Sequence, residues 1–420
     1  MPQQLRGGTM SHSLSAKSDQ LTFDWLDPDR DELARLAKQF VDEVTQLPKS
    51  AVALVSCGKH KKDTKSIASE LYTSPRFRMS INLISRLQKR AFILSAKHGL
   101  LTLSTQVAPY DVNLSTFDEE RRFQWRSAVL SKLNRHRRDS SAVILLADDE
   151  YATPLDEGLK SIGFKVINPL TGLSSSARLM FLKACHHYLD RIGGIEELYA
   201  IFDRLHAAGH IKPLKEALGG ALPDQGVYFF FDPAEKTLFS ESLPRLVRVG
   251  THGVSAGSRA TLRDRLRTHL GTSDGYGNHR SSVFRLHVGE ALIRRDGMRD
   301  RYPNWGIGQN LTGADRDNER PLEKVVSEII GSLSVCCIAV ADKSAKESAR
   351  SVIERLSIAL FTEHLLPVEA SGPLWLGLHS KHDVIAKTGL WNLRDAGSKA
   401  DLSIPRTINA RLIKSGVLGS

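Results

Sequence analysis

The side chains with chemistry to offer fall in two stretches of this chain. In the first, apolar runs end in small, cationic and glycine residues. Residues 51–56 (AVALVS) run into Cys57-Gly58-Lys59, and 91–95 (AFILS) into Ala96-Lys97-His98-Gly99. Pro109-Tyr110-Asp111 and Asp148-Asp149-Glu150-Tyr151 follow downstream. Ser56, Lys59, Lys97, His98, Tyr110 and Asp111 are therefore candidates for one ligand site. Ordinary turn chemistry is the alternative, with glycines at positive φ and lysines in solvent. A GxxxxGK[ST] loop is absent, so nucleotide hydrolysis is not supported. In the second stretch Tyr228 stands in 226–231 (GVYFFF), and Arg265 and His269 lie four apart in LRDRLRTHL, projecting together from one helix. His279 follows Gly277-Asn278, and Glu354 stands in SVIERLSIAL. Arg245, Arg248, Arg259, Arg263, Arg265 and Arg267 meet a single acid between them, Asp264, while Arg294, Arg295, Arg299 and Arg301 gather beside Tyr302 and Trp305. Arginine interleaved with aromatics can follow a phosphate backbone and stack on bases. A merely solvated charged face is the competing reading.

These residues need elements to hold them. A helix is expected over 29–46, from the spacing of Leu33, Leu36, Phe40 and Val44. The runs 51–56, 91–95, 142–147 and 165–168 read as buried strands with helical stretches between them. That alternation predicts an α/β domain with a mostly parallel sheet over 24–190, whose ligands sit at the carboxyl ends of the strands. A polar leader occupies 1–23 and reads as disordered. A helical connector is expected over 191–222, closing on the Gly- and Pro-containing break at 219–223. The second domain, 223–420, opens with a hairpin of 226–231 and 245–250. A helix over 260–270 and a strand over 282–288 are expected to follow.

Composition narrows the class. A chain of 420 residues has room for two cores, and 41% hydrophobic with 25% charged residues is ordinary for a globular protein. No apolar run is long enough to span a membrane, and no apolar signal segment is read at the start. Four cysteines, two of them the adjacent Cys336 and Cys337, suit a buried strand and a reducing cytoplasm better than a disulfide framework. The net charge of +11 favours a polyanionic partner.

In the order Gly226-Val227-Tyr228, Arg248-Val249-Gly250, Arg265, His279, Glu354 and Asn392, the second domain resembles the GIY-YIG nuclease family over 226–392. The resemblance implies an α+β fold with a small central antiparallel sheet. Tyr228, Arg265, His279 and Glu354 would be catalytic, and Glu354 would hold Mg²⁺ or Mn²⁺. Arg248 stands where the family has its second tyrosine, and an insert at about 290–330 is longer than in the smallest members. The residue types agree with this chemistry. A single carboxylate plus waters suits Mg²⁺, and a guanidinium fork grips a phosphate. A tyrosine, titrating near 10 in water, needs cationic neighbours to serve as a base. Arg248, Arg263, Arg267, His269, Arg294, Arg295 and Asn392 are expected to contact DNA.

The strings SCGKHKKD, ELYTSP, SAKHGLL and APYD, over about 51–189, resemble an uncharacterised bacterial domain family. It is loosely similar to YaaA-type peroxide-stress proteins and to α/β domains found beside uracil-glycosylase-like enzymes. Together the two resemblances imply a cytoplasmic DNA endonuclease, a homodimer being compatible. Its first domain would sense a modified base, in a role suited to restriction of phage DNA. A glycosylase coupled to strand cleavage and a catalytically impaired DNA-binding protein are the alternatives.

Overall fold

A computed structural model describes residues 29–308 and 312–419, so the expected leader lies outside the described residues. The helix Arg30–Gln46 starts at Asp29, whose carboxylate accepts from the Glu32 N–H. The first seven strands are β1 (Val52–Ser56), β2 (Ser66–Ile67), β3 (Arg90–Ser95), β4 (Gly99–Thr102), β5 (Gln106–Val107), β6 (Ala142–Leu146) and β7 (Lys165–Ile167). Five of them form one sheet in the order β4-β3-β1-β6-β7, and β2 pairs with β5 apart from it. β1 runs parallel to β3 and β6, and β6 to β7, while β4 turns back along β3. The unbroken apolar runs have a physical reason. β1 and β6 are buried throughout, because Phe40, Phe77 and Phe181 cover one face of the sheet and Trp125, Val129 and Leu155 the other. Connections leave β1 toward β3 on one side and β6 toward β7 on the other, which opens a crevice beyond the carboxyl ends of β1 and β6.

The helix Ser175–Ala207 passes unbroken through 190–191. Its first turns pack Phe181, Leu182 and Cys185 against the parallel sheet, and its later turns carry Ile195, Leu198 and Phe202 into the core of the second half. The segment after it is not a free linker, since β8 (Ile211–Pro213) joins the second sheet. That sheet adds β9 (Gly226–Asp232), β10 (Arg245–Gly250) and β11 (Ser334–Ala339) in the order β10-β9-β11-β8, with every pairing antiparallel. β9 is central and covered on both sides. Alternation sends Val227, Phe229 and Phe231 to one core and Tyr228 and Phe230 to the other. Gly226 is needed for close approach, because a Cβ there would lie 2.2 Å from the Ile338 carbonyl oxygen. Cys336 and Cys337 lie on β11 as free thiols.

The strand expected over 282–288 is instead the start of the helix Val283–Arg295. Phe284, Val288, Ala291 and Leu292 are buried at helical spacing, and Ser282 caps the helix by accepting from the Arg285 N–H. The insert is built largely of a second helix, Gly313–Ser332, which buries Leu322, Val326 and Ile330.

Candidate active site

A cleft of about 860 Å³ opens where the end of β10, three helices and the segment 391–395 converge, lined by Arg248, Arg265, His287, Glu354, Asn392 and Asp395 among others. The helix Leu262–Leu270 is started by a capping box between Thr261 and Asp264. Leu262 and Leu266 are buried beneath it, which leaves Arg265 half-buried at the cleft. The Arg265 guanidinium makes no hydrogen bond or ion pair among the described residues, so its donors are free for a ligand. Glu354 rides on the helix Ala349–Thr362, anchored by Ile353 and Ile358. One turn before it, Arg350 is buried, pairs with Asp342 at 2.6 Å, and donates to the carbonyls of His252 (3.1 Å) and Gly253 (2.9 Å). The loop after β10 is thereby tied to the helix that carries the glutamate.

β10 is an edge strand, and the segment 389–392 covers that edge. Trp391 N–H donates to the Val247 carbonyl at 2.8 Å. The Asn392 amide takes both backbone groups of Val249, accepting at 3.1 Å and donating at 2.8 Å. Each of its polar atoms thus makes one bond within the fold. Asn392 thereby positions β10 and the cleft wall. Arg248 lies over the Phe284 ring at 4.6 Å and donates to the Trp391 carbonyl, while its Nε has no partner. Asp395 sits in the left-handed region at φ 64°, a strained conformation of the kind stored at functional sites.

The cleft shifts its ionisable groups. Burial pushes the Glu354 carboxyl up to about 7. Arg248 opposes this, Asp395 reinforces it, and the Thr251 backbone and Arg265 oppose it again. Burial pushes His287 down to about 3, with His382, Arg248 and Lys381 acting in the same sense. His287 is neutral, only 4% exposed, and neither ring nitrogen has a partner.

Tyr228 does not line the cleft directly. Its hydroxyl is buried 2.8 Å from His269 Nε2, packed so closely on Gly250 that a Cβ there would fall 2.1 Å from it. His269 is fully buried, its Nδ1 is 2.8 Å from the Ser282 hydroxyl, and burial holds it well below the ordinary histidine range. It is the partner of the tyrosine, not a DNA contact. His279 is not in the site at all. Its Nε2 accepts from the Gly306 N–H, which places the proton on Nδ1, and Nδ1 donates to Glu323 at 2.9 Å. Its ring stacks on Trp305 at 3.8 Å, and Trp305 and Tyr302 are themselves buried, so neither is free to stack on a base.

Arg263 donates to the carbonyls of Leu218 (2.5 Å) and Gly220 (2.7 Å) and belongs to the fold. Arg267 and Arg294 are exposed and available, whereas Arg295 pairs with Asp296 at 2.7 Å. The sequence reading missed His287, Asp395 and Arg350. The helical period of Phe284, Val288 and Ala291 would have placed His287 beside a buried face, and reading 282–288 as a strand hid it. His279→Ala is expected to cost ~2–4 kcal/mol of stability through the lost stacking and the unpaired Glu323 oxygen. Urea unfolding measures this, and cleavage per folded molecule should be unchanged. A folded variant that no longer cuts would return His279 to the chemistry.

At the parallel sheet, the Tyr110 hydroxyl is 2.7 Å from both Ser95 Oγ and Tyr72 Oη, and Cys57 Sγ is 3.3 Å from Tyr151 Oη. Burial pushes the Tyr110 and Tyr151 hydroxyls up strongly, and Tyr72 up to about 12. Lys97 and His98 are exposed around Tyr110, and Lys61 lies over its ring at 4.6 Å. Ser56 is buried on the other side and accepts from the Asp148 N–H at 3.2 Å. Asp148 is in turn paired with Arg76 and Arg178. Lys59 and Asp111 are exposed. Lys97, His98 and Tyr110 thus come together, with Lys61, Tyr72 and Cys57 as additions.

Comparison with known families identifies the second half of the chain. A GIY-YIG domain profile matches residues 189–415, more than half of the chain. The chain belongs to the GIY-YIG family. GIY-YIG domains are generally endonucleases, with DNA as the implied partner. Residues 52–184 match a family of unknown function, DUF6884, and nothing extends this to YaaA-type or uracil-glycosylase-like proteins. Searches of curated proteins and of solved structures gave no match. Among the described residues no helix is long and apolar enough to cross a membrane.

Proposed function

We propose that this chain is a metal-dependent DNA endonuclease whose first domain directs cutting to modified or foreign DNA, such as that of phage. The observation that carries the reading is Glu354 with its raised carboxyl, held in one cleft with Arg248 and the unpaired Arg265. Among the described residues no cluster of three or more His, Cys, Asp or Glu is placed to hold a metal. Glu354 and Asp395 nevertheless line the same cleft, and their repulsion helps to raise the Glu354 carboxyl. Such hard oxygen donors, completed by water, fit Mg²⁺ or Mn²⁺. Bound there, the ion would activate water and neutralise charge on the phosphoryl oxygens. Arg265 grips a non-bridging oxygen, with Arg248 beside it to balance developing charge. Tyr228 accepts the proton, and His269 holds its hydroxyl in place. The test is incubation with modified and unmodified phage genomes, with and without Mg²⁺. Cutting that needs the ion supports the reading. Binding without cutting would favour the impaired site suggested by Arg248.

The Tyr110 crevice is the sensor in this reading, because Lys97, His98 and Lys61 surround buried hydroxyls that can read a polar base edge. Lys97→Ala with His98→Ala should flatten the preference between modified and unmodified DNA, each lost contact being worth ~1–3 kcal/mol. The ratio of cleavage rates on the two substrates measures it. An unchanged ratio in the folded double variant removes these residues from recognition.

A further inference from the structure

The opposite end of the parallel sheet carries a feature that the nuclease chemistry does not use. The helix Glu119–Asn134 ends in a tight turn, Arg135-His136-Arg137-Arg138, which lies beside the amino ends of β6 and β7. Arg135, Arg137 and Arg138 are all exposed, and with Asn134, Ser141 and Gly163 they line a groove of about 690 Å³. None of the three arginines forms a salt bridge among the described residues. Elsewhere the surface arginines Arg35, Arg295 and Arg355 each meet an acid. Three like charges within four residues repel one another and are costly to hold together without a counter-charge.

The turn is nevertheless fixed. Arg137 N–H donates to the Asn134 carbonyl at 3.2 Å and Asp139 N–H to the His136 carbonyl at 3.1 Å. Gly163, at φ 88°, lets the Arg137 guanidinium lie flat on its backbone, where a Cβ would come within 2.4 Å of it. Half-buried His136 is held below the ordinary histidine range by burial first and then by Arg90. Asp139 opposes this shift and Arg135 adds to it. The groove is therefore electropositive and preorganised, with Asp139 as the acid of the turn and no salt bridge from it to the arginines.

We propose that this groove binds the phosphate backbone of double-stranded DNA, as a second contact that shares no lining residue with the cutting cleft. Guanidinium forks suit phosphate oxygens, and a row of them suits a repeating polyanion better than a single small anion. The groove contains no aromatic lining to stack bases, so the contact positions DNA without reading its sequence. The choice of DNA as the polyanion rests on the nuclease reading above.

The experiment measures binding of the full chain to a short duplex in EDTA across a salt series. The wild type is compared with Arg135→Gln/Arg137→Gln/Arg138→Gln and with the corresponding triple lysine variant. Loss of three phosphate contacts should flatten the slope of log K against log salt by about 2 to 3. The lysine variant should keep most of the slope, which a purely structural role would not predict. An unchanged slope in the glutamine variant overturns the proposal, as does equal loss in both variants. Cleavage in Mg²⁺ is scored separately. A wild type that binds with the full slope yet never cuts would fail the nuclease reading and leave this groove standing.

Discussion

Glu354→Gln is expected to abolish metal-dependent cleavage and, in metal-free buffer, to make the protein more stable. Both effects come from one carboxyl. Burial and Asp395 raise it from 4.5 to about 7, against the pull of Arg248 and Arg265. Between those two values the folded protein holds a proton that the unfolded chain has released. Stability therefore falls as pH rises from about 4.5 through about 7, and stays low above it. Glutamine has the same shape and no charge to desolvate. Its advantage should be absent near pH 4 and full near pH 8, at no more than about 3.5 kcal/mol, since one pKa unit is worth about 1.4 kcal/mol. Thermal unfolding in EDTA at the two pH values measures the first effect, and plasmid nicking in Mg²⁺ the second. A folded variant that still cuts at the wild-type rate would remove Glu354 from the metal site. An equal stability gain at both pH values would mean that packing, not charge, sets the difference.

The parts of this architecture that were legible in the sequence are those where local pattern and tertiary burial agree. Residues 52–55 and 142–146 are apolar throughout because both faces of their sheet are covered, so the run of residues itself signals a parallel strand. The hairpin of β9 and β10 and the Arg265 helix were legible for the same reason, with Leu262 and Leu266 at helical spacing over a buried face. The misreadings occur where a polar residue serves the fold. His279, Arg263 and Asn392 look like active-site side chains in the sequence, but their polar atoms satisfy Glu323, two carbonyls and the free edge of β10. A buried polar group must find partners, and sequence alone does not say whether those partners are protein or ligand. His287 is the converse. It stands in a stretch misread as a strand, and its meaning depends on Arg248 and Glu354 arriving from elements far away in the chain.

Tyr228→Phe is expected to lower the cleavage rate by ~10²-fold or more while leaving DNA binding nearly unchanged, and to cost ~1–3 kcal/mol of stability for the unpaired His269 nitrogen. The ring packs among Phe230, His269 and Gly250, and that packing survives loss of the hydroxyl. What disappears is the hydroxyl oxygen 2.8 Å from His269, the proposed proton acceptor. The cleft holds one rival. His287 is neutral with both ring nitrogens free, so it too can accept a proton from water or from the sugar oxygen. Burial beside Arg248 and Lys381 makes it a weak base, however, and the arginine at 248 opposes any second positive charge there. A proton placed on His287 is therefore costly. On this argument His287→Ala should lose less than Tyr228→Phe, because it removes a contact to substrate and not the acceptor. Single-turnover cleavage of a defined duplex at saturating protein compares the two variants without interference from binding. Wild-type rates in Tyr228→Phe with a ~10²-fold loss in His287→Ala would reverse the assignment and make the histidine the base.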